Sequence, residues 1–265
     1  MRRYKLIVSV FSSKGNTRKI NQDNFFVNGR RLEDPLGGDV KFTEVCKGGL
    51  FAVADGMGGE HEGEFASRKA VDTFGQLRTS HPTINELSEC ISMANDEICN
   101  EAERTGSRIG STIAAAVIEG AKLDVCNIGD SRVLIYSSGR LDQITKDHTV
   151  AAQMIEAGLM TEEQASHDKR KHQLFQHLGI SSEEMSLSLF SRENIMLSEG
   201  DIVILCSDGL SDGIGFDDIL DRIMSMPDTI DLASDLARLA MKNGSTDNVT
   251  VITIAVKEKR IFGLF

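Results

Sequence analysis

The sequence predicts an α+β fold in which antiparallel sheets are covered by pairs of helices. Two observations carry this. Short apolar segments bounded by glycine or aspartate come in runs, and long segments with helical spacing come in pairs, so strands and helices fall in blocks rather than in βαβ alternation. The strand segments are also rich in Val, Ile and Ala, which two facing sheets need on their inner surfaces. No internal repeat or Pro/Ser-rich linker interrupts the 265 residues, so a single domain over 1–265 is expected, large enough to bury a substantial core.

The elements follow in order. Residues 5–11 read as a first strand, 12–23 as a polar, turn-rich stretch, and 24–28 as a second strand ending at Asn28-Gly29. Residues 30–48, with Pro35 and several glycines, read as a loop or hairpin excursion. Leu50–Ala54 is a short apolar run that reads as a buried strand. Phe65, Ala66, Ala70, Val71, Phe74 and Leu77 repeat at helical spacing over 61–78. Leu87, Cys90, Ile91, Ala94, Ile98 and Cys99 mark a second helix over 84–104, with Met93 assigned to the core. Segments 111–119, 123–128, 132–137 and 140–145 read as an antiparallel meander. Short helices are expected at 150–157 and at 161–166, where Thr161 suits a helix start. Residues 184–190 and 201–206 read as strands, 216–226 and 230–242 as helices. The last strand, 248–256, alternates Ile252, Ile254 and Val256 on one face, and 257–265 is a short tail.

Composition narrows the function. The 40 acidic residues against 29 basic ones give a net charge of −11, so a nucleic-acid backbone would be repelled by most of the surface. The five cysteines are odd in number and form no CxxC, which argues against a disulfide framework or a zinc site. Cys126 and Cys206 lie in apolar runs, where a thiol acts as a small hydrophobe. No signal-peptide core and no run long enough to cross a membrane is present. A cytoplasmic protein without nucleic-acid or membrane partners is expected.

One pattern recurs. Asp55-Gly56 follows the run Phe51–Ala54, Asp208-Gly209 follows Ile202–Ser207, Asp130 follows Val125–Gly129, and Asp247-Asn248 precedes Val249–Ile254. Each alone is an ordinary turn acid. Gathered at one edge of the sheets they form a carboxylate cluster, which is tolerable only with cations in it. Oxygen donors without His or Cys ligands suit Mg²⁺ or Mn²⁺ rather than zinc. Upstream, Arg18 and Asp23 stand five residues apart; the arginine can grip a phosphate by two parallel hydrogen bonds or simply be solvated.

With these residues in place the chain resembles the metal-dependent protein serine/threonine phosphatases of the protein phosphatase 2C family, bacterial type. The resemblance rests on Arg18-Lys-Ile-Asn21-Gln22-Asp23, Val53-Ala-Asp55-Gly56-Met57-Gly58-Gly59, Gly110-Ser111-Thr112, Asn127-Ile-Gly129-Asp130-Ser131-Arg132, Thr145-Lys-Asp147-His148-Thr149, Ser207-Asp208-Gly209-Leu210-Ser-Asp212 and Asp247-Asn248-Val249-Thr250, in order across nearly the whole chain. It implies a sandwich of two antiparallel sheets flanked by helix pairs. It implies two Mn²⁺ or Mg²⁺ ions that share Asp55, one of them helped by the Gly56 carbonyl and the other held by Asp208 and Asp247. Asp130 with Asp208 matches a third-metal position, Asp23 an acid that acts through water, and Arg18 the arginine that binds the substrate phosphate. The implied reaction is hydrolysis of phosphoserine and phosphothreonine by a water or hydroxide between two ions, with Asp23, Asp55 and Asp208 as the catalytic acids. Ser111, Ser131 and Ser207 are then structural. The implied partners are phosphorylated proteins made by a Ser/Thr kinase, and the implied state a monomer.

The chain also departs from the family. Met57 stands where eukaryotic members have a histidine proposed as general acid, and Gln22 replaces a common glutamate. Residues 150–180 fall where bacterial members carry a flap, in which His167, Arg170 and His172 are candidates for substrate contact or solvated loop residues. The 30–48 loop is longer than the minimal pattern and has no assigned role. A non-catalytic binding module and a hydrolase of small phosphorylated molecules are the alternatives to a protein phosphatase.

Overall fold

A computed structural model describes residues 4–166, 168–226 and 228–258. In chain order these are β1 (Tyr4–Ser13), β2 (Asp23–Val27), β3 (Val40–Cys46), β4 (Gly48–Met57), α1 (Glu60–Asp72) with a 3₁₀ turn at Thr73–Gln76, α2 (Ile84–Thr105), β5 (Gly110–Ser111), β6 (Ile113–Glu119), β7 (Lys122–Ile128), β8 (Arg132–Ser137), β9 (Arg140–Gln143), α3 (Val150–Glu156), α4 (Glu162–Ser166), β10 (Phe190–Met196), β11 (Ile202–Cys206), α5 (Asp208–Gly213), α6 (Phe216–Ser225), α7 (Leu232–Lys242) and β12 (Val249–Glu258).

The strands form two antiparallel sheets, β3-β1-β12-β11-β8-β9 and β10-β7-β6-β4-β2, with β5 added to the end of β4. Alternation along each strand decides the layers. Val8, Val10, Val203, Leu205, Ile252, Ile254 and Val256 of the first sheet meet Phe25, Phe51, Val53, Ala114, Ala116 and Val125 of the second in one shared core. The intervening residues face outward and are covered by helices. Ala52, Ala54, Ala115 and Cys126 pack under α1 and α2; Ile204, Cys206, Val251 and Ala255 pack under α5, α6 and α7. The expected face of Ile252, Ile254 and Val256 is thus the buried one between the sheets. No helix of the described residues is long and apolar enough to cross a membrane, and all five cysteines are free.

Several local expectations need correction. The excursion over 30–48 contains β3, which pairs not with β2 but with β1, Leu6 opposite Cys46, at the edge of the other sheet. The meander is split: β6 and β7 belong to one sheet, β8 and β9 to the other. The chain crosses between them at Gly129, whose φ of +97° and contact with Thr112, where an added Cβ would lie 2.6 Å from Cγ2, both favour glycine. Residues 184–189 are not a strand, because the Gln176 side chain takes their backbone groups: it accepts from Ser188 N at 3.1 Å and donates to Ser186 O at 3.1 Å. Pairing with β7 begins only at Phe190, opposite Asn127. Met93 is 46% exposed rather than core, since it falls off the Leu87, Ile91, Ala94, Ile98 stripe of α2. A short helix, α5, follows β11 directly where only a turn was expected.

Candidate metal centre

All the predicted acids arrive at one end of the sandwich. β2 and β4 are registered so that Asp23 and Asp55 are direct cross-strand partners. Asp130 sits at the crossing from β7 to β8, Asp208 opens α5 immediately after β11, and Asp247 leads into β12. A cavity of about 340 Å³ is lined by Arg18, Asp55, Gly56, Asp130, Asp208 and Asp247, together with Gln22, Met57, His172 and His177. Asp23 lies beneath this cavity, 1% exposed, and its Oδ2 accepts a hydrogen bond of 2.7 Å from Ser207 Oγ.

β4 does not stop before the acid, as the glycines suggested, but runs through Met57. Gly56 pairs with Ser111, and Met57 with Gly110. The break between β5 and β6 falls at Thr112, whose N donates to Asp55 O at 2.8 Å and whose Oγ1 accepts from Asp55 N at 3.0 Å. Both backbone groups of Asp55 are thereby fixed while its carboxylate is left to the cavity. A Cβ at position 56 would lie 1.9 Å from Gly63 O and 2.8 Å from Gln22 O. Only glycine fits there, because three backbone segments converge on it.

The other motifs act as clamps. His148 N donates to Gly129 O at 3.0 Å and its Nδ1 accepts from Gly129 N at 3.1 Å, gripping the corner that presents Asp130. Arg132 makes a two-nitrogen contact with Asp147, Nε at 3.1 Å from each carboxylate oxygen and Nη2 on Oδ2. Ser131 Oγ lies 2.6 Å from Thr112 Oγ1. Asn248 accepts from Gln22 N at 2.8 Å and donates to Lys14 O and Ile20 O, both at 3.0 Å, which holds the loop carrying Arg18. Ser111, Ser131 and Ser207 are all buried. Arg18 itself pairs Nη2 with Asp247 Oδ2 at 2.7 Å and is about half exposed, at 48%.

The electrostatics are those of crowded carboxylates. Burial, then the nearby Asp208 and Asp247, push Asp23 up to about 8 in spite of hydrogen bonds from Ser207 and Thr250. Burial, then Asp208 and Asp147, push Asp130 up to about 8 against the pull of Arg132. Burial and the charges of Asp208, Asp23 and Asp130 raise Asp55 well above the usual range. Asp208 goes the other way: burial opposes its charge, but hydrogen bonds from His172 and from the Asp55 carboxyl hold it below the ordinary value. The hydrogen bond to Asp208, against burial, raises His172.

These residues fit a hard divalent cation. The donors are carboxylate and backbone oxygens. Asp23 Oδ1 and Asp208 Oδ1 are buried without a hydrogen-bond partner, an expensive condition for a carboxylate unless a cation takes them. Asp130, His172 and Asp208 also bring one ligand atom each within 4.8 Å of one another, adding a nitrogen that was not expected at the third-metal position.

Of the flap candidates, His172 faces Asp208 and Asp212, 3.5 Å and 3.3 Å away. Arg170 turns instead to Asp168 at 2.7 Å, and His167 lies outside the described residues. Sequence reasoning missed His177, a wall of the cavity, because residues 167–178 carry no period. It also missed Asn248 and the bond from Ser207 to Asp23, for which motif membership was the only available signal.

Comparison with known proteins agrees with this geometry. The chain is 30% identical over 250 residues to the serine/threonine protein phosphatase PstP of Mycobacterium tuberculosis, covering 92% of this chain but 44% of PstP, so it spans less than half the length of that relative. It is 28% identical over 263 residues to the protein phosphatase PhpP of Streptococcus pneumoniae, covering 95% of this chain and 98% of PhpP. A crystal structure of the PstP catalytic domain in complex with two manganese ions superposes with a TM-score of 0.75 at 30% identity, over 96% of this chain and 99% of that one. Residues 26–240 match the family model for protein phosphatase 2C, and the chain belongs to the protein phosphatase 2C family.

Proposed function

We propose that this chain is a phosphoprotein phosphatase that hydrolyses phosphoserine and phosphothreonine with two divalent cations, Mn²⁺ or Mg²⁺, and a third at Asp130. The observation that carries this reading is the convergence of Asp23, Asp55, Asp130, Asp208 and Asp247 on one end of the sandwich, with two buried carboxylate oxygens left without a partner. The two manganese ions in the PstP catalytic domain support the same metal class, and the names of PstP and PhpP support the substrate class.

In this reading Asp55 would serve both ions, with the Gly56 carbonyl helping to hold one and Asp208 and Asp247 the other. When bound, such ions supply the positive charge that ionises solvent near neutral pH and stabilises the phosphoryl oxygens. Asp23, beneath the cavity and bonded to Ser207, orients and accepts from that solvent. Arg18, on the exposed rim, turns from Asp247 to the incoming phosphate. The buried serines are not nucleophiles, so no covalent enzyme intermediate forms. Residues 1–265 act as one catalytic unit with 150–180 as a flap, as a cytoplasmic monomer on the products of a Ser/Thr kinase.

The test is turnover of a phosphothreonine peptide by protein stripped with EDTA and reloaded with Mn²⁺ or Mg²⁺. Metal-dependent turnover that disappears in Asp55→Asn and Asp208→Asn is the expected result. Unchanged turnover in either variant, or binding of the peptide without hydrolysis, overturns it. The intact set of acids disfavours a non-catalytic binding module.

A further inference from the structure

Met57 stands where eukaryotic members have the histidine proposed as proton donor, and the structure offers a donor from another segment. The geometry points to His177 as the general acid that protonates the departing serine or threonine oxygen, an inference that rests on the phosphatase reading above.

His177 is fixed beside Met57. Ser111 pairs with Gly56 on one side and with Leu178 on the other, through Ser111 N to Leu178 O at 3.1 Å and Leu178 N to Ser111 O at 2.8 Å. The ladder that presents the Gly56 carbonyl therefore continues into the residue next to His177. Gly110 completes the arrangement: the point a Cβ would take there lies 2.8 Å from His177 Nδ1 and 3.1 Å from Met57 Cγ. The imidazole and the methionine side chain thus flank one glycine on the cavity wall. The segment is held on both sides, by the Gln176 side chain to Ser186 O and Ser188 N, and by Gly179 N donating to Asn95 Oδ1 at 2.8 Å. A donor on so constrained a backbone is preorganised.

The ring is also oriented. Nδ1 lies 2.8 Å from Leu178 O, a carbonyl that can only accept, so Nδ1 carries a proton. Nε2 has no hydrogen-bond partner among the described residues and is the nitrogen left for a ligand. The other described histidine of the cavity is committed elsewhere: His172 faces Asp208 and Asp212 with its two nitrogens. In the imidazolium form His177 keeps the bond to Leu178 O and offers Nε2–H. A solvent oxygen forms the new P–O bond while the ester P–O bond breaks. The bonding pair stays on the serine or threonine oxygen, the Nε2 proton moves to it, and the neutral ring regains a proton from solvent.

General acid catalysis matters in proportion to how poor the leaving group is, which gives a test that a structural role cannot imitate. His177→Ala and His177→Gln, loaded with Mn²⁺, are assayed on a phosphothreonine peptide and on a series of aryl phosphates ending at p-nitrophenyl phosphate. The expected kcat loss is roughly 10²-fold for the peptide. It shrinks steadily as the leaving group improves, being ~10-fold smaller with p-nitrophenyl phosphate, and added imidazole partly restores the alanine variant on the peptide. An equal loss on all substrates, or no loss on the peptide, in the folded variant overturns the assignment while leaving the phosphatase reading intact. Wild-type protein that turns over neither substrate with metal overturns both.

Discussion

Asp23 and Asp55 face each other across the β2–β4 ladder as direct antiparallel partners. Like charges at that position destabilise a sheet, and here Asp23 is also buried, 1% exposed. The folded protein without metal resolves the conflict by keeping protons: Asp23 and Asp130 are pushed up to about 8, and Asp55 well above its ordinary range. A carboxyl raised above its unfolded value of about 4 binds more protons folded than unfolded in the window between the two. The stability it contributes is full below the unfolded value and is lost as pH rises through the folded one. Asp208, which is depressed, acts in the opposite sense and only at the acid end of the range. EDTA-treated protein should therefore lose thermal stability steadily from about pH 4 to about pH 8. Mn²⁺ should restore it most at the alkaline end and release protons on binding. Tm against pH with and without metal, and calorimetry in buffers of different ionisation enthalpy, check this. A metal-free Tm that rises across that window would contradict it.

Gly56→Ala should be among the most damaging small substitutions in the chain. The added methyl would meet Gly63 O and Gln22 O, both backbone atoms that cannot rotate away. The β4 end must shift, at a cost of about 1–3 kcal/mol, and the carbonyl that follows shifts with it. Chemical denaturation should show the loss of stability, and calorimetry a parallel loss of Mn²⁺ affinity. By contrast Gly75→Ala, where the new Cβ meets nothing within 4 Å, should be nearly silent.

The layers and the acid set were legible in the chain because both depend on local pattern. Period-two apolar runs place strands, and an aspartate after such a run lands at a sheet end whatever the sheet order. What was not legible depends on partners far away in sequence. The pairing of β3 with β1, Leu6 opposite Cys46, has no local signature. The crossing at Gly129 reads like any hairpin turn until it is known that Thr112 fills the space beside it. Residues 184–189 have a strand's composition, and only Gln176, which takes their backbone hydrogen bonds, keeps them irregular. His177 belongs to the same class, since its place beside Met57 comes from the Ser111–Leu178 bridge and not from anything near it in the chain.

Arg132→Ala should destabilise more than a surface ion pair would. The guanidinium contacts Asp147 through two nitrogens, and both side chains are largely covered, 25% and 13% exposed. Removing the cation leaves Asp147 beside Asp130, whose own charge Arg132 helps to support. A partly buried carboxylate stripped of its partner costs about 3 kcal/mol. Denaturant midpoints should show this, and Arg132→Ala/Asp147→Ala should recover part of the loss, since the double change leaves no orphaned charge. Additive losses would mean that the pair is not coupled.

Asn248→Ala should separate substrate binding from metal binding. Its side chain accepts from Gln22 N and donates to Lys14 O and Ile20 O, so three bonds tie residues 14–22, and Arg18 within them, to the start of β12. Losing them costs about 1–3 kcal/mol in stability and frees the loop that carries Arg18. Asp55, Asp130 and Asp208 are positioned by other contacts: Thr112 for the first, His148 for the second and the end of β11 for the third. Mn²⁺ affinity should then fall by only a few-fold, while KM for a phosphopeptide rises by roughly tenfold or more as the phosphate loses its oriented arginine. Calorimetric titration with Mn²⁺ beside steady-state kinetics gives both numbers. Equal losses of metal affinity and substrate affinity would mean that Asn248 supports the acids directly rather than through the Arg18 loop.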